Sequence, residues 1–150
     1  LALTPANPTT EPRQGPTQAI VFTFDKPVTS GIATVTEGTA VADVPVFSGN
    51  AMIVPLAGVT DQQYVTVAVT NVVAADGGTG GSGAVRIGYL LGDVSQNRVV
   101  TLSDLGQVNA QVAQFVSGAN FKFDINVSGT LSLSDKLMVN ANLTQVLPPP

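Results

Sequence analysis

Asp93-Val94-Ser95-Gln96-Asn97-Arg98-Val99-Val100-Thr101-Leu102-Ser103-Asp104 is echoed, 31 residues further on, by Asp124-Ile125-Asn126-Val127-Ser128-Gly129-Thr130-Leu131-Ser132-Leu133-Ser134-Asp135. Each stretch begins and ends on an aspartate, and each closes with a Leu-Ser-Asp triplet. Downstream, Val108-Asn109-Ala110 recurs as Val139-Asn140-Ala141 at the same offset. The repeating unit is therefore a twelve-residue loop followed by a stretch of helical spacing.

Oxygen donors fall at alternate positions of both loops, the spacing with which an EF-hand-type loop winds around a hard cation and closes on a carboxylate at its twelfth position. The first loop offers Asp93, Ser95, Asn97, the Val99 carbonyl, Thr101 and Asp104. The second offers Asp124, Asn126, Ser128, the Thr130 carbonyl, Ser132 and Asp135. Two Ca2+ sites are expected. The blander reading is a polar turn before a helix cap, since Ser and Asp cap helices often. A cap alone does not explain oxygen donors at every expected position, twice over.

Arg98 stands at the sixth position of the first loop, where glycine normally allows the sharp turn, so the second loop is the better formed of the two. Each loop has only two carboxylates, which predicts modest affinity, in the range of roughly 10⁻⁴ to 10⁻³ M seen in extracellular modules. The eighth positions, Val100 and Leu131, are apolar, as back-to-back pairing of the loops over a core would require. Leu105, Val108, Val112 and Phe115 predict one buried helical stripe, and Leu137, Met138 and Ala141 a second.

Composition narrows the function classes. The chain has no Cys, no His and no Trp, which removes imidazole bases, thiol nucleophiles and any zinc site built on nitrogen or sulfur ligands. Six basic residues against ten acidic ones, with no basic cluster, exclude a nucleic-acid partner. No apolar run reaches the ~20 residues that span a bilayer. Charged residues are only 11% of the chain while 44% is apolar, a balance of extracellular β-rich modules with a real core. The chain opens on Leu1 and reads as a processed or C-terminal portion of something longer.

Before the loops, short β-branched and aromatic runs alternate with turn-formers. Strands are expected at residues 19–24, 32–37, 40–47, 51–56, 64–72 and 85–91, with turns at Asp25-Lys26-Pro27, at Ser48-Gly49-Asn50 and in the glycine-rich stretch 76–83. That glycine-rich stretch is read as a strand connection. A phosphate-cradling loop would need Lys-Ser/Thr opening a helix, and Ala84-Val85-Arg86-Ile87 follows instead. The N-terminal segment with Pro5, Pro8, Pro12 and Pro16 is too proline-rich for a central strand, although Leu1–Thr4 could pair at an edge.

The stretch Val21-Phe22-Thr23-Phe24-Asp25-Lys26-Pro27-Val28 resembles the early strand and turn of bacterial Ig-like modules, with a first strand that is incomplete. Residues 92–147 resemble a type I dockerin, the duplicated loop-helix module that docks secreted enzymes onto cohesin domains. The two resemblances imply an all-β Ig-like sandwich over residues 1–90. They imply a small all-α dockerin-like pair of EF-hand-type calcium loop-helix repeats over 91–150, with a proline-rich tail. They further imply that Leu102, Ser103 and Asn109, with Leu133, Ser134 and Asn140, form partner-binding faces. The alternative for Leu102 and Leu133 is a role in the core.

The expected function is non-catalytic: a calcium-binding module, secreted or on the surface of a bacterium, that attaches a larger protein, such as a polysaccharide-active enzyme or adhesin, to a cohesin-like or other extracellular partner. The alternative is a structural subunit that binds other copies of itself head to tail in a filament. Two calcium ions would cancel the formal net charge of −4 and favour association. Glycoside hydrolysis by paired carboxylates is disfavoured, because four of the ten acidic residues are claimed by the loops. Carbohydrate binding by the sandwich has only Tyr64 and Tyr89 as polar aromatic platforms. The sequons at Asn126 and Asn142 are common chance patterns, and the first overlaps a loop ligand.

Overall fold

A computed structural model describes residues 8–15 and 17–150. The chain forms β1 (Thr10–Glu11), β2 (Gln18–Thr23), β3 (Val28–Glu37), β4 (Val41–Ala42), β5 (Val46–Ser48), β6 (Ala51–Ala57), β7 (Gln63–Ala74) and β8 (Gly81–Tyr89). Two helices follow, α1 (Leu102–Gln111) and α2 (Leu133–Ala141), with a 3-10 turn at Phe121–Phe123 between them. One sheet runs β1-β8-β7-β3 and the other β2-β6-β4, with β5 also on β6. The described residues divide into two compact units, one of residues 17–60 and 65–86, the other of 8–15, 61–64 and 87–150.

In the first unit the strands bury one face and expose the other. In β6 this alternation places Met52, Val54 and Leu56 inside, and β7 adds Val65, Val67 and Val69. Ile20, Val28, Val72 and Val85 complete this core. A strand expected over 40–47 is in fact two, β4 and β5, separated at Asp43-Val44-Pro45. Both pieces pair with β6, and Pro45, lacking an N–H, falls in the gap. Strand β8 begins at Gly81, inside the stretch expected to be turn throughout. The pair Glu37 and Arg86 ties β3 to β8 through Oε1 and a guanidinium nitrogen 2.7 Å apart.

In the second unit a core forms from Tyr64, Leu90, Val94, Val100, Val108, Phe123, Ile125, Leu131, Val139 and Leu147. Four of these are a repeat-related pair of pairs, Val94 with Ile125 and Val108 with Val139, and of the four only Val108 is exposed at all, at 2%. Strand β1 pairs in parallel with the end of β8, Thr10 opposite Gly88 and Glu11 opposite Tyr89. Side chains crowd this point: a Cβ on Gly88 would lie 2.5 Å from Leu147 Cδ1 and 3.1 Å from Thr10 Cγ2, so a larger residue would require them to shift. The edge pairing expected of Leu1–Thr4 lies outside the described residues; within them, Thr10–Glu11 makes it.

The expected all-α dockerin-like pair of EF-hand-type repeats is not what the chain forms. The chain is mostly β, with two sheets, and its helices are only 10 and 9 residues long. Helices this short are marginal in isolation and depend on packing. The unit that holds them also includes strand residues at 10–11, 63–64 and 87–89, so neither that helical pair nor the two-module Ig-plus-helical fold class stands. The helical stripes are corrected too. Phe115 lies beyond the end of α1 and is 96% exposed, and Leu137 is 65% exposed while its neighbour Val139 is buried. Among the described residues no helix is long and apolar enough to cross a membrane.

Candidate metal centre

The two loops close by the same hydrogen bonds, position for position. Asp93 accepts from the Asn97 N–H at 3.0 Å and the Arg98 N–H at 2.8 Å; Asp124 accepts from the Ser128 N–H at 2.9 Å and the Gly129 N–H at 2.8 Å. Asp104 accepts from the Ser95 N–H at 2.8 Å, as Asp135 does from the Asn126 N–H at 3.3 Å. The backbone turns alike, with positive φ at Gln96 and Val127 (61° and 54°) and at Arg98 and Gly129 (72° and 83°). Arg98 thus takes the conformation that glycine takes without strain at the matching place.

Each last aspartate also belongs to a helix start. Thr101 and Ser132 are the N-caps of α1 and α2, and each forms a capping box with the aspartate three residues on. The Thr101 hydroxyl accepts from the Ser103 N–H and donates to Asp104, and Ser132 does the same with Ser134 and Asp135. Helix cap and loop closure are one structure here, so the two readings of these residues do not exclude each other. Caps of this kind contribute about 1 kcal/mol each. Burial pushes the Asp104 carboxyl up, but hydrogen bonds from Ser95 and Thr101 outweigh it and hold the pKa below the ordinary carboxylate value.

The pairing of the loops differs from the expectation that they would meet back to back. Val99 bridges to Val146 and Phe115 to Thr130, so each loop pairs with the segment following the other repeat's helix. The Thr144 N–H donates to the Val100 carbonyl at 2.9 Å, the counterpart of Ala113 donating to Leu131 at 2.8 Å. Both donors have positive φ, 68° at Ala113 and 74° at Thr144. Val100 and Leu131 are buried, as apolar eighth positions.

Of the expected ligands, Asp93, Ser95, Asn97 and Asp104 are joined by hydrogen bonds in the first loop, as are Asp124, Asn126, Ser128 and Asp135 in the second. Asn97 Oδ1 accepts from the Val99 N–H, and the Ser128 hydroxyl touches the Thr130 carbonyl. Asp93, Asp104 and Asp135 have no exposed surface and Asp124 only 5%. Ser95 contacts both carboxylates of its loop, its N–H donating to Asp104 and its hydroxyl to Asp93. Backbone N–H donors on each carboxylate offset much of the cost of burying it.

Among the described residues no three His, Cys, Asp or Glu side chains are grouped to hold a metal. Each loop brings two carboxylates and supplements them with hydroxyl, amide and carbonyl oxygens. That all-oxygen donor set fits a hard cation of the Ca2+ kind better than a transition metal. The residues expected to bind a partner are all on the surface: Ser103, Asn109, Ser134 and Asn140 are exposed, Leu102 is 73% exposed and Leu133 63%.

Sequence reasoning missed one participant. The Thr10 hydroxyl donates to Asp93 Oδ2 at 2.8 Å from 83 residues away. Arg13 is held to Glu11 at 2.7 Å and lies over the Phe121 ring. No family model, curated protein or solved structure matches the chain. The site therefore stands on its own chemistry.

Proposed function

We propose that this chain is a non-catalytic, calcium-braced extracellular module that mediates attachment, either to another extracellular protein of the cohesin-like kind or to further copies of itself. The observation that carries the calcium reading is the pair of buried carboxylates in each loop, held by the same hydrogen bonds 31 positions apart. In the first loop Asp93, Ser95, Asn97, Val99 and Asp104 would hold the ion, and in the second Asp124, Asn126, Ser128, Thr130 and Asp135. The ion supplies positive charge between carboxylates and draws loop and helix together, a structural role. Thr101 and Ser132 serve each site through the closing aspartate.

The attachment reading is supported by exposed apolar side chains at repeat-related positions, Leu102 with Leu133 and Phe115 with Val146. Exposed leucine and phenylalanine beside helix N-termini suit a protein surface. Thermal unfolding in EDTA, in Mg2+ and in Ca2+ tests the brace: stabilisation specific to Ca2+ and lost in Asp124→Asn is expected. Negative-stain microscopy in Ca2+ and in EDTA separates the two kinds of partner. Calcium-dependent filaments support binding to its own copies, and monodisperse particles in both conditions leave attachment to a different protein.

A further inference from the structure

The two loops are alike within the repeat but not in what reaches them from outside it. The segment 8–15 lies along the first loop. Its Thr9, Glu11 and Pro12 carbonyls accept from the N–H groups of Gly88, Leu90 and Gly92 at 2.9, 3.3 and 2.9 Å, which leads directly to Asp93. Thr10, 1% exposed, is held from two sides: its hydroxyl donates to Asp93 Oδ2, and its carbonyl accepts from Gln96 Nε2 at 3.0 Å. Asp93 and Gln96 are the first and fourth positions of the same loop. In the second loop the equivalent Asp124 carboxylate accepts from Ser128 and Gly129 of its own loop, and the strap meets it through the Gln14 N–H, which donates to the Ile125 carbonyl, and through the nearby charge of Arg13.

We propose that residues 8–15 act as a strap that makes the first cation loop depend on the N-terminal segment, with Thr10 the positioning residue for Asp93. The inference rests on the calcium reading above. A hydroxyl donated to a ligating carboxylate fixes its rotamer and aims its other oxygen, the kind of supporting bond whose loss weakens metal affinity 10–100-fold. Coupling is reciprocal, so an ion in the first loop tightens the strap as the strap tightens the ion. Arg98 adopts at a backbone cost the conformation that Gly129 adopts freely, so the hydroxyl contact from outside falls on the loop that carries that cost.

Calcium titration followed by the amide resonances of Arg98 and Gly129 tests this, because each N–H donates to the first aspartate of its own loop. In Thr10→Val the midpoint at Arg98 is expected to move about 10–100-fold higher. The Gly129 midpoint stays, and Thr10→Ser restores the first. An unchanged Arg98 midpoint, or equal shifts at both amides, overturns the strap. So does a Thr10→Ser variant as weak as the valine one. Gln96→Asn, exposed and tolerant of positive φ, carries the same expectation with a several-fold shift at Arg98 and decides the matter if Thr10→Val does not fold. If neither amide of the unaltered protein responds to calcium, the calcium reading itself fails, a result distinct from failure of the strap.

Discussion

The backbone N–H of Ala113, past the end of α1, donates to the carbonyl of Leu131 in the second loop across 2.8 Å. Each repeat thus closes the other's loop, and the two share one core. Replacing Leu131 (4% exposed) by Ala is expected to cost about 2–5 kcal/mol in urea unfolding. Leu102→Ala, at a 73% exposed position, is expected to stay within about 0.5 kcal/mol. A similar cost at both positions would contradict the burial pattern.

Arg98 and Gly129 occupy equivalent positions with φ of 72° and 83°. Arg98→Gly relieves a left-handed residue and is expected to stabilise by up to about 1 kcal/mol. Gly129→Ala works in the opposite direction, by about 1–2 kcal/mol. No atom lies within 4 Å of a Cβ built there, so that cost is conformational. Thermal midpoints of the two variants should move in opposite directions, and movement in the same direction would refute the equivalence.

Glu37 has its pKa lowered, first by the hydrogen bond from Arg86 and then by that from Thr66. A depressed folded pKa means the contribution is present above the unfolded value, 4.5, and is lost as pH falls through the folded one. The carboxylate is 40% exposed, so screening limits the gain to about 1 kcal/mol or less. Glu37→Gln should therefore lower stability near neutral pH, with the gap to the unaltered protein closing in acid. A gap that widens below pH 4.5 would contradict the pairing.

Burial raises the Tyr89 hydroxyl to about 12, with a contribution from the charge of Glu11. A raised folded pKa leaves stability intact below the unfolded value of 10.0 and erodes it as pH climbs to about 12. Absorbance titration at the tyrosinate band should show one tyrosine ionising late and together with unfolding. In Tyr89→Phe that late step should vanish.

The repeat was legible because the side chains that close both loops by hydrogen bonds fall at fixed spacing, a local property that duplication makes plain. The strands between Gln18 and Tyr89 were legible for a related reason, since alternation of apolar residues is also local. Three things were not. Strand β1 is two residues long, set between Pro8 and Pro12, with no periodicity to read. The bond from Thr10 to Asp93 depends on the parallel pairing of that strand with Gly88 and Tyr89. Phe115 and Leu137 fit helical stripes on paper, yet α1 stops at Gln111 and both side chains are exposed, while the core takes Val108 of the expected stripe and, in the second helix, Val139. The helices are too short to make an all-α module, because loops, bridges and borrowed strand ends do the packing that longer helices would.

Calorimetric titration of calcium into protein freed of divalent ions measures binding by the two loops. Two equivalents are expected to bind, one lost in Asp93→Asn and the other in Asp124→Asn. Stabilisation of about 2.7 kcal/mol per site is expected once calcium exceeds Kd by about 100-fold. Absence of heat together with an unchanged thermal midpoint in millimolar calcium would contradict that binding.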